Sequence, residues 1–248
     1  MDTHRQTVSV ITPVHPASIP YLPEAYESLC AQQMPADWQW RWLVQEDGTT
    51  GSVRRALPTD MRVSVGMNRP GGPGVTRTMA LSRAAGALVK VLDADDRLTE
   101  GVLARDIAVL GADPTVGWAV SRALDLHPDG STTAVATDPP DGRLTAGALH
   151  RAWYDSDRRL PVHPATMCLR TDLLLALGGW MALPASEDTG LLLAVSTVSD
   201  GWFIGQVGLL YRKWPGQATS QASHWSPSER ATRIKVIDDR VAALQRVQ

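Results

Sequence analysis

Three carboxylates in four positions, Asp93, Asp95 and Asp96, follow the apolar residues Val89, Val91 and Leu92 in VKVLDADDRL (89–98). On a strand, side chains two apart point the same way, so Asp93 and Asp95 can converge. Like charges held together repel or take up protons, and a cation beside them relieves both. Hard dications such as Mg²⁺ and Mn²⁺ prefer oxygen ligands, and Mg²⁺ commonly takes one or two carboxylates plus substrate phosphates. Spacing alone leaves a second reading equally open, in which Asp95 and Asp96 begin a helix-capping turn.

Other segments carry chemistry of the same kind. Glu46 and Asp47, in EDGTT, could accept from ribose hydroxyls or a base N–H, although Asp-Gly is also an ordinary turn signal. Arg77 follows NRPGGPG (68–74), in the expected first turn of a helix. Helix N-termini and guanidinium groups favour anions such as a diphosphate. A plain Gly/Pro connector explains that segment as well, and no Walker loop or G-x-G-x-x-G is present. ASEDTG places Glu187 and Asp188 at a helix start. A carboxylate there can act as general base for a hydroxyl or merely complement the helix dipole.

Six histidines are scattered, at 4, 15, 127, 150, 163 and 224, and no two have zinc-site spacing. His224 could reach a metal from a C-terminal loop, or be an ordinary packed or exposed histidine. Trp180, Trp202, Trp214 and Trp225 crowd the second half, where such rings stack on sugars or fill a core.

The elements that must position these groups alternate. Strands are expected at 8–14, 38–45, 61–67 and 88–92, the second with Trp38, Trp40, Trp42 and Val44 on one face. Helices are expected at 22–34, at 75–87, and from a Thr99 cap to about Leu110, with Glu100 and Asp106 on the wet side. Such alternation predicts an α/β fold, a mostly parallel sheet with helices on both faces. Ligands bind beyond the carboxyl ends of those strands, so Thr12 and Pro13, Glu46 and Asp47, and Asp93 and Asp95 would share one rim.

The second half is less regular. Residues 116–127 and 131–137 read as a hairpin, 145–156 as a helix, 163–170 as a strand and 171–179 as a helix with a Gly stop. A helix begins near 186, WFIGQVGLLYRKW forms a strand pair or one long strand, and a charged helix closes the chain from 226. The expected organisation is one domain in two halves, 1–112 and 113–225, followed by a C-terminal helix (226–248).

Composition sets outer bounds. The 248 residues are 44% hydrophobic and 20% charged with net charge −2, which argues against a nucleic-acid or membrane-surface binder. Cys30 and Cys168, each in an apolar stretch, read as buried thiols of a reducing cytosol. The polar N-terminus shows no signal peptide, and no segment approaches the ~20 apolar residues of a membrane span.

In order, these segments resemble a family 2 glycosyltransferase of the GT-A fold across roughly residues 8–220. VSVITPVHP is similar to the family's opening nucleotide-binding strand. LVQEDGTT is similar to its Val-x-Asp-Asp-Gly-Ser turn, with Glu46 in place of the first Asp. GPGVTRTMALSRAAGALVKVLDADD ends in its Asp-x-Asp signature, and HPATMCLRTDLLLALGGW resembles its acceptor-side strand and Gly-Gly turn. ASEDTGLLL resembles the Glu-Asp segment of the catalytic base, and YRKWPGQATS the closing strand.

The resemblance implies inverting transfer of one sugar from a nucleotide-diphosphate sugar, UDP favoured, to a hydroxyl of a small-molecule or glycan acceptor, with 1–112 as the nucleotide-sugar-binding half and 113–225 as the acceptor-binding half. Asp95 would ligate Mn²⁺ or Mg²⁺ on the diphosphate, with Asp93 near the ribose or metal. Asp47 or Glu46, with Thr12 and Pro13, would hold base and ribose. Asp188, beside Glu187, would be the base, and Arg77 or Arg212 would help stabilise the leaving diphosphate. The Gln-x-x-Arg-Trp signature of processive synthases is missing, which favours single-sugar addition to a soluble acceptor by a cytoplasmic enzyme, with a homo-oligomer compatible. Two rivals are a sugar-phosphate nucleotidyltransferase, against which TPVHPASIP stands where its Gly-rich basic loop belongs, and an inactive nucleotide-sugar binder.

Overall fold

Val8, Val10, Ile11 and Val14 are fully buried, because the strand they form has neighbours on both edges and helices on both faces. Burying each such side chain contributes roughly 1.5–3 kcal/mol. The computed structural model describes residues 5–134 and 138–247. In chain order the elements are β1 (Gln6–Val14), α1 (Leu22–Cys30), β2 (Trp38–Asp47), α2 (Ser52–Ala56), β3 (Val63–Asn68), α3 (Gly72–Ala80), β4 (Leu88–Val91) and β5 (Arg97–Leu98). Then come α4 (Val102–Ala112), β6 (Val116–Leu126), β7 (Thr132–Ala134), β8 (Gly142–Leu144), α5 (Ala148–Asp155) and β9 (Cys168–Arg170). The chain ends with α6 (Thr171–Ala176), α7 (Glu187–Val198), β10 (Asp200–Arg212) and α8 (Pro227–Val247).

One sheet runs in the order β3-β2-β1-β4-β9-β6-β10-β5, with β7 beside β6 and β8 beside β10. The first four strands are parallel, as the alternation predicts. β9 runs antiparallel between β4 and β6, while β10 lies parallel to β6. Leu22, Leu29, Val53, Leu103 and Leu110 cover one face, so α1, α2 and α4 lie there. Ala80, Trp153, Leu174, Leu191 to Leu193 and Ile237 cover the other, with α3, α5, α6, α7 and α8. Residues Gly190 to Thr197 of α7 are all buried, as expected of a helix that is apolar all round. No described helix is long and apolar enough to cross a membrane.

Several expectations change. α1 stops at Cys30 rather than 34, and α3 starts at Gly72 rather than 75. Pro73 occupies the first turn of α3, where its missing N–H would be unpaired anyway. α4 is preceded by Gly101 at φ 72°, so Thr99 does not cap it; its hydroxyl donates to the Val207 carbonyl at 2.5 Å. Asp106 is not wet: it is fully buried, with the Lys90 ammonium at 2.8 Å. Cys168 is buried but Cys30 is exposed, and both are free thiols. Residues 163–170 divide into a 3-10 turn, Pro164–Thr166, and the short β9. The hairpin partner of β6 is present at 132–134, while residues 135–137 of that expected strand, His4, and Gln248 of the last helix lie outside the described residues.

Candidate active site

Parallel register brings the carboxyl ends of β1, β2 and β4 to one edge, with Val14 opposite Glu46 and Ile11 opposite Val91. Thr12, Pro13, Glu46, Asp47 and Asp93 therefore gather there. Much of the bonding capacity of the first group is already used. Thr12 is fully buried; its hydroxyl donates to the Leu92 carbonyl at 2.6 Å and accepts the Trp42 indole N–H at 2.7 Å. Glu46 accepts the Thr50 hydroxyl at 2.5 Å and the backbone N–H groups of Thr50 and Val53 at 2.9 and 3.4 Å, building the turn into α2. Burial would raise its pKa, but these hydrogen bonds outweigh that and hold it below the ordinary value. Asp47 accepts the N–H groups of Gly71 and Gly72 at 2.8 and 3.1 Å, fastening the start of α3. Pro13 is half-buried at the edge.

Arg77 is the hub. Because α3 spans Gly72–Ala80 rather than 75–87, Arg77 falls in its last turn, not its first, and is only 3% exposed. Its Nη2 donates to Asp93 Oδ1 at 2.5 Å, and its Nη1 donates to Glu187 Oε1. These partners lie 16 and 110 positions along the chain. Gly74 permits the meeting, since a Cβ there would stand 2.2 Å from the Met181 carbonyl oxygen and 3.1 Å from the Glu187 Cβ. Burial works against the Arg77 charge, but Asp93, Glu187 and Asp188 outweigh it and raise its pKa.

One cation facing three carboxylates leaves negative charge in surplus. Burial, then the charge of Asp188, pushes Glu187 up to about 7 against the pull of Arg77. A carboxyl raised by folding contributes stability that is full below its ordinary value of 4.5 and is lost as pH climbs through about 7. Wild-type protein should therefore lose more melting temperature between pH 5 and pH 8 than Glu187→Gln does. Parallel calorimetric slopes for the two proteins would show that no proton is bound there.

The second half of the edge is closed by the end of β10. The Arg212 backbone N–H donates to Asp96 Oδ1 at 2.8 Å, its Nε to the Asp95 carbonyl at 2.8 Å, and its Nη2 to Glu24 Oε2 at 2.6 Å. The Trp214 indole donates to Asp95 Oδ2 at 2.6 Å, and its ring lies 5.0 Å from that of Tyr21. Burial raises both Asp95 and Asp96, and Asp96 Oδ2 is buried with no hydrogen-bond partner. Asp93 and Asp95 remain partly exposed.

Among the described residues, no group of three or more His, Cys, Asp or Glu is gathered to hold a metal unaided. The two partly exposed carboxylates fit a hard dication that completes its shell from a bound diphosphate.

Asp188 lies one residue beyond Glu187, partly exposed, with Oδ1 accepting the Thr189 N–H at 2.6 Å. Ser186 precedes the pair at φ 63°, a left-handed conformation that non-glycine residues seldom adopt, at roughly 1 kcal/mol or more. His224 lines a cavity that has neither Asp93 nor Asp95 in its wall. Its carbonyl accepts Arg233 Nη2 at 2.5 Å, and burial lowers its pKa.

Sequence reasoning missed His163, which packs 4.5 Å from Tyr211, centroid to centroid. Burial lowers the pKa of His163, while the charges of Asp188 and Asp93 pull it up. It therefore feels both groups of acids. Glu24 and Tyr21 were also missed, because Arg212 and Trp214, which meet them, lie far along the chain. The stretch YRKW carried the available signal for Arg212 and Trp214.

The family model described as glycosyl transferase family 2 matches residues 9–139. No curated protein sequence matches the chain. Among solved structures, S. aureus TarS 1-349 aligns at 19% identity and TM-score 0.67 over 94% of this chain and 65% of its own. The same protein in complex with UDP-GlcNAc aligns at 21% and 0.65, over 88% of this chain and 61% of its own. The mannosyltransferase PcManGT from Pyrobaculum calidifontis, in complex with GDP-Man and Mn²⁺, aligns at 21% and 0.57, over 92% of this chain and 62% of its own. At such identity the likeness is one of fold, and the chain spans less than two thirds of each of these structures.

Proposed function

The chain belongs to glycosyl transferase family 2, and on that premise we propose that it moves one sugar from a nucleotide-diphosphate sugar to an acceptor hydroxyl, with inversion. The observation that carries the reading is the Arg77 bridge, which ties the Asp93 edge to the turn bearing Asp188. Donor and base could then act on one anomeric carbon. UDP-GlcNAc and GDP-Man in the structural neighbours support a nucleotide-diphosphate donor.

The base and ribose would lie over β1 and β2 near Pro13, on a floor held by Thr12, Glu46 and Asp47. Asp93 and Asp95 would hold Mn²⁺ or Mg²⁺; when bound, the ion supplies positive charge to the departing diphosphate. Arg77, neutralised by its carboxylates, acts by positioning Asp93 and Glu187. Arg212 holds the Asp95 and Asp96 turn. Asp188 takes the proton from the acceptor hydroxyl as oxygen attacks the anomeric carbon opposite the leaving group. The free thiols Cys30 and Cys168 suit a cytoplasmic setting.

Titration of UDP-, GDP- and dTDP-sugars with Mn²⁺ tests the donor side. The preferred donor should bind at least tenfold more tightly with Mn²⁺, about 1.4 kcal/mol, and Asp95→Ala should remove that gain. An Asp95→Ala protein with undiminished Mn²⁺ enhancement would remove Asp95 from the metal site.

A further inference from the structure

A cavity of about 290 Å³ has in its wall Ser186 and Thr189, which lie two residues before and one residue after Asp188. Nearly all of its lining follows residue 139, where the family match ends. The cavity therefore belongs to the part of the chain in which family membership predicts least. Trp153, Val162 and Ile237 make part of the wall apolar. Arg158, Arg230 and Arg233 bring three guanidinium groups, each a fork of N–H donors.

These arginines are unequally occupied. Arg158 pairs with Asp238 at 3.2 Å and lies over the rings of Trp153 and Tyr154. Arg233 is 2% exposed, and its Nε and Nη1 have no hydrogen-bond partner. Among the described residues its ion pair is a long one, 3.7 Å to the half-exposed Glu229. No described residue pairs with the Arg230 guanidinium. The acid in the wall, Asp138, is taken by Arg122 at 2.8 Å. A buried charged donor left without an acceptor is costly, and an anionic ligand would recover that cost.

We propose that this cavity is the acceptor site and selects an acceptor bearing a carboxylate or phosphate on an apolar or aromatic body. The proposal rests on the glycosyl-transfer reading above. Arg233 and Arg230 hold the anion, the rings and aliphatic side chains hold the body, and a hydroxyl is left facing Asp188. In the reaction that hydroxyl gives its proton to Asp188 and its oxygen bonds to the anomeric carbon. The bond from that carbon to the diphosphate breaks, and the electron pair leaves with the diphosphate.

Calorimetric titration with phenyl phosphate, benzoate and benzyl alcohol tests the selection without any donor. Wild-type protein should prefer an anionic probe to the alcohol by about tenfold or more, and the tighter anion identifies phosphate or carboxylate as the source. Arg233→Gln should abolish the preference. Arg230→Gln, at a half-buried site, should weaken it severalfold without disturbing the fold, and it decides the matter if the Arg233 variant fails to fold. Equal binding of all three probes to wild type overturns the proposal, as does a preference unchanged in Arg230→Gln. UDP-sugar titrations on the same proteins separate the two readings, because failure to bind any donor counts against glycosyl transfer and leaves the anion preference to be read by itself.

Discussion

Asp188→Asn is expected to lower kcat by roughly 10²–10⁴-fold, the usual worth of a positioned general base, while donor affinity stays within about a factor of two. The substitution is nearly isosteric. Asp188 Oδ1 accepts the Thr189 N–H at 2.6 Å, and an amide oxygen can do the same, so the start of α7 should survive. Loss confined to turnover would mark a proton acceptor. A parallel loss of donor binding would mark a residue of the donor site, and full activity would eliminate Asp188 as the base. Single-turnover kinetics at saturating donor, paired with calorimetric donor titration, distinguish these results.

Arg77→Met should have the largest effect on stability, because it leaves the carboxylates of Asp93 and Glu187 without their cation. Removing one partner of a buried ion pair typically destabilises by about 3–5 kcal/mol. The loss should shrink as pH falls, since the abandoned carboxyls escape their repulsion by taking up protons. Arg77→Lys should recover only part of the stability, as an ammonium cannot reproduce a fork that grips Glu187 with one arm and Asp93 with the other. Urea unfolding at pH 5 and pH 7 gives both comparisons. A deficit below about 1 kcal/mol at pH 7 would mean that solvent, not Arg77, screens these acids.

The sheet's first four strands were legible because β-branched and aromatic runs alternate with helical spacing and turn residues. The second half resisted for a local reason. β10 is one 13-residue strand whose register shifts between Ile204 and Leu209 disturb the period on which such reading depends. Asp106 was misplaced because its partner Lys90 sits on a neighbouring strand, invisible to helical periodicity. Arg77 was found, but the errors at both helix ends moved it from the expected first turn to a buried last turn. The acids at 46, 93, 95 and 188 stand out by type alone. Which of their oxygens are already engaged depends on residues such as Thr50 and Trp214, and only the folded chain reveals it.

The dependence of Asp95 and Asp96 on Arg212 and Trp214 bears on how the protein is made. These contacts span 116 to 119 positions, so the acidic turn cannot take its final form while the closing strand is still inside the ribosome. A nascent chain that has released β1 to β6 lacks Arg212 and Trp214 and carries an unfinished turn of crowded carboxylates, with β6 still lacking β10 along one edge. Long-range pairing of this kind slows the final folding step and leaves strand edges open to aggregation meanwhile. Truncation before residue 200 should accordingly yield insoluble protein, even though all of residues 1–112 are already synthesised.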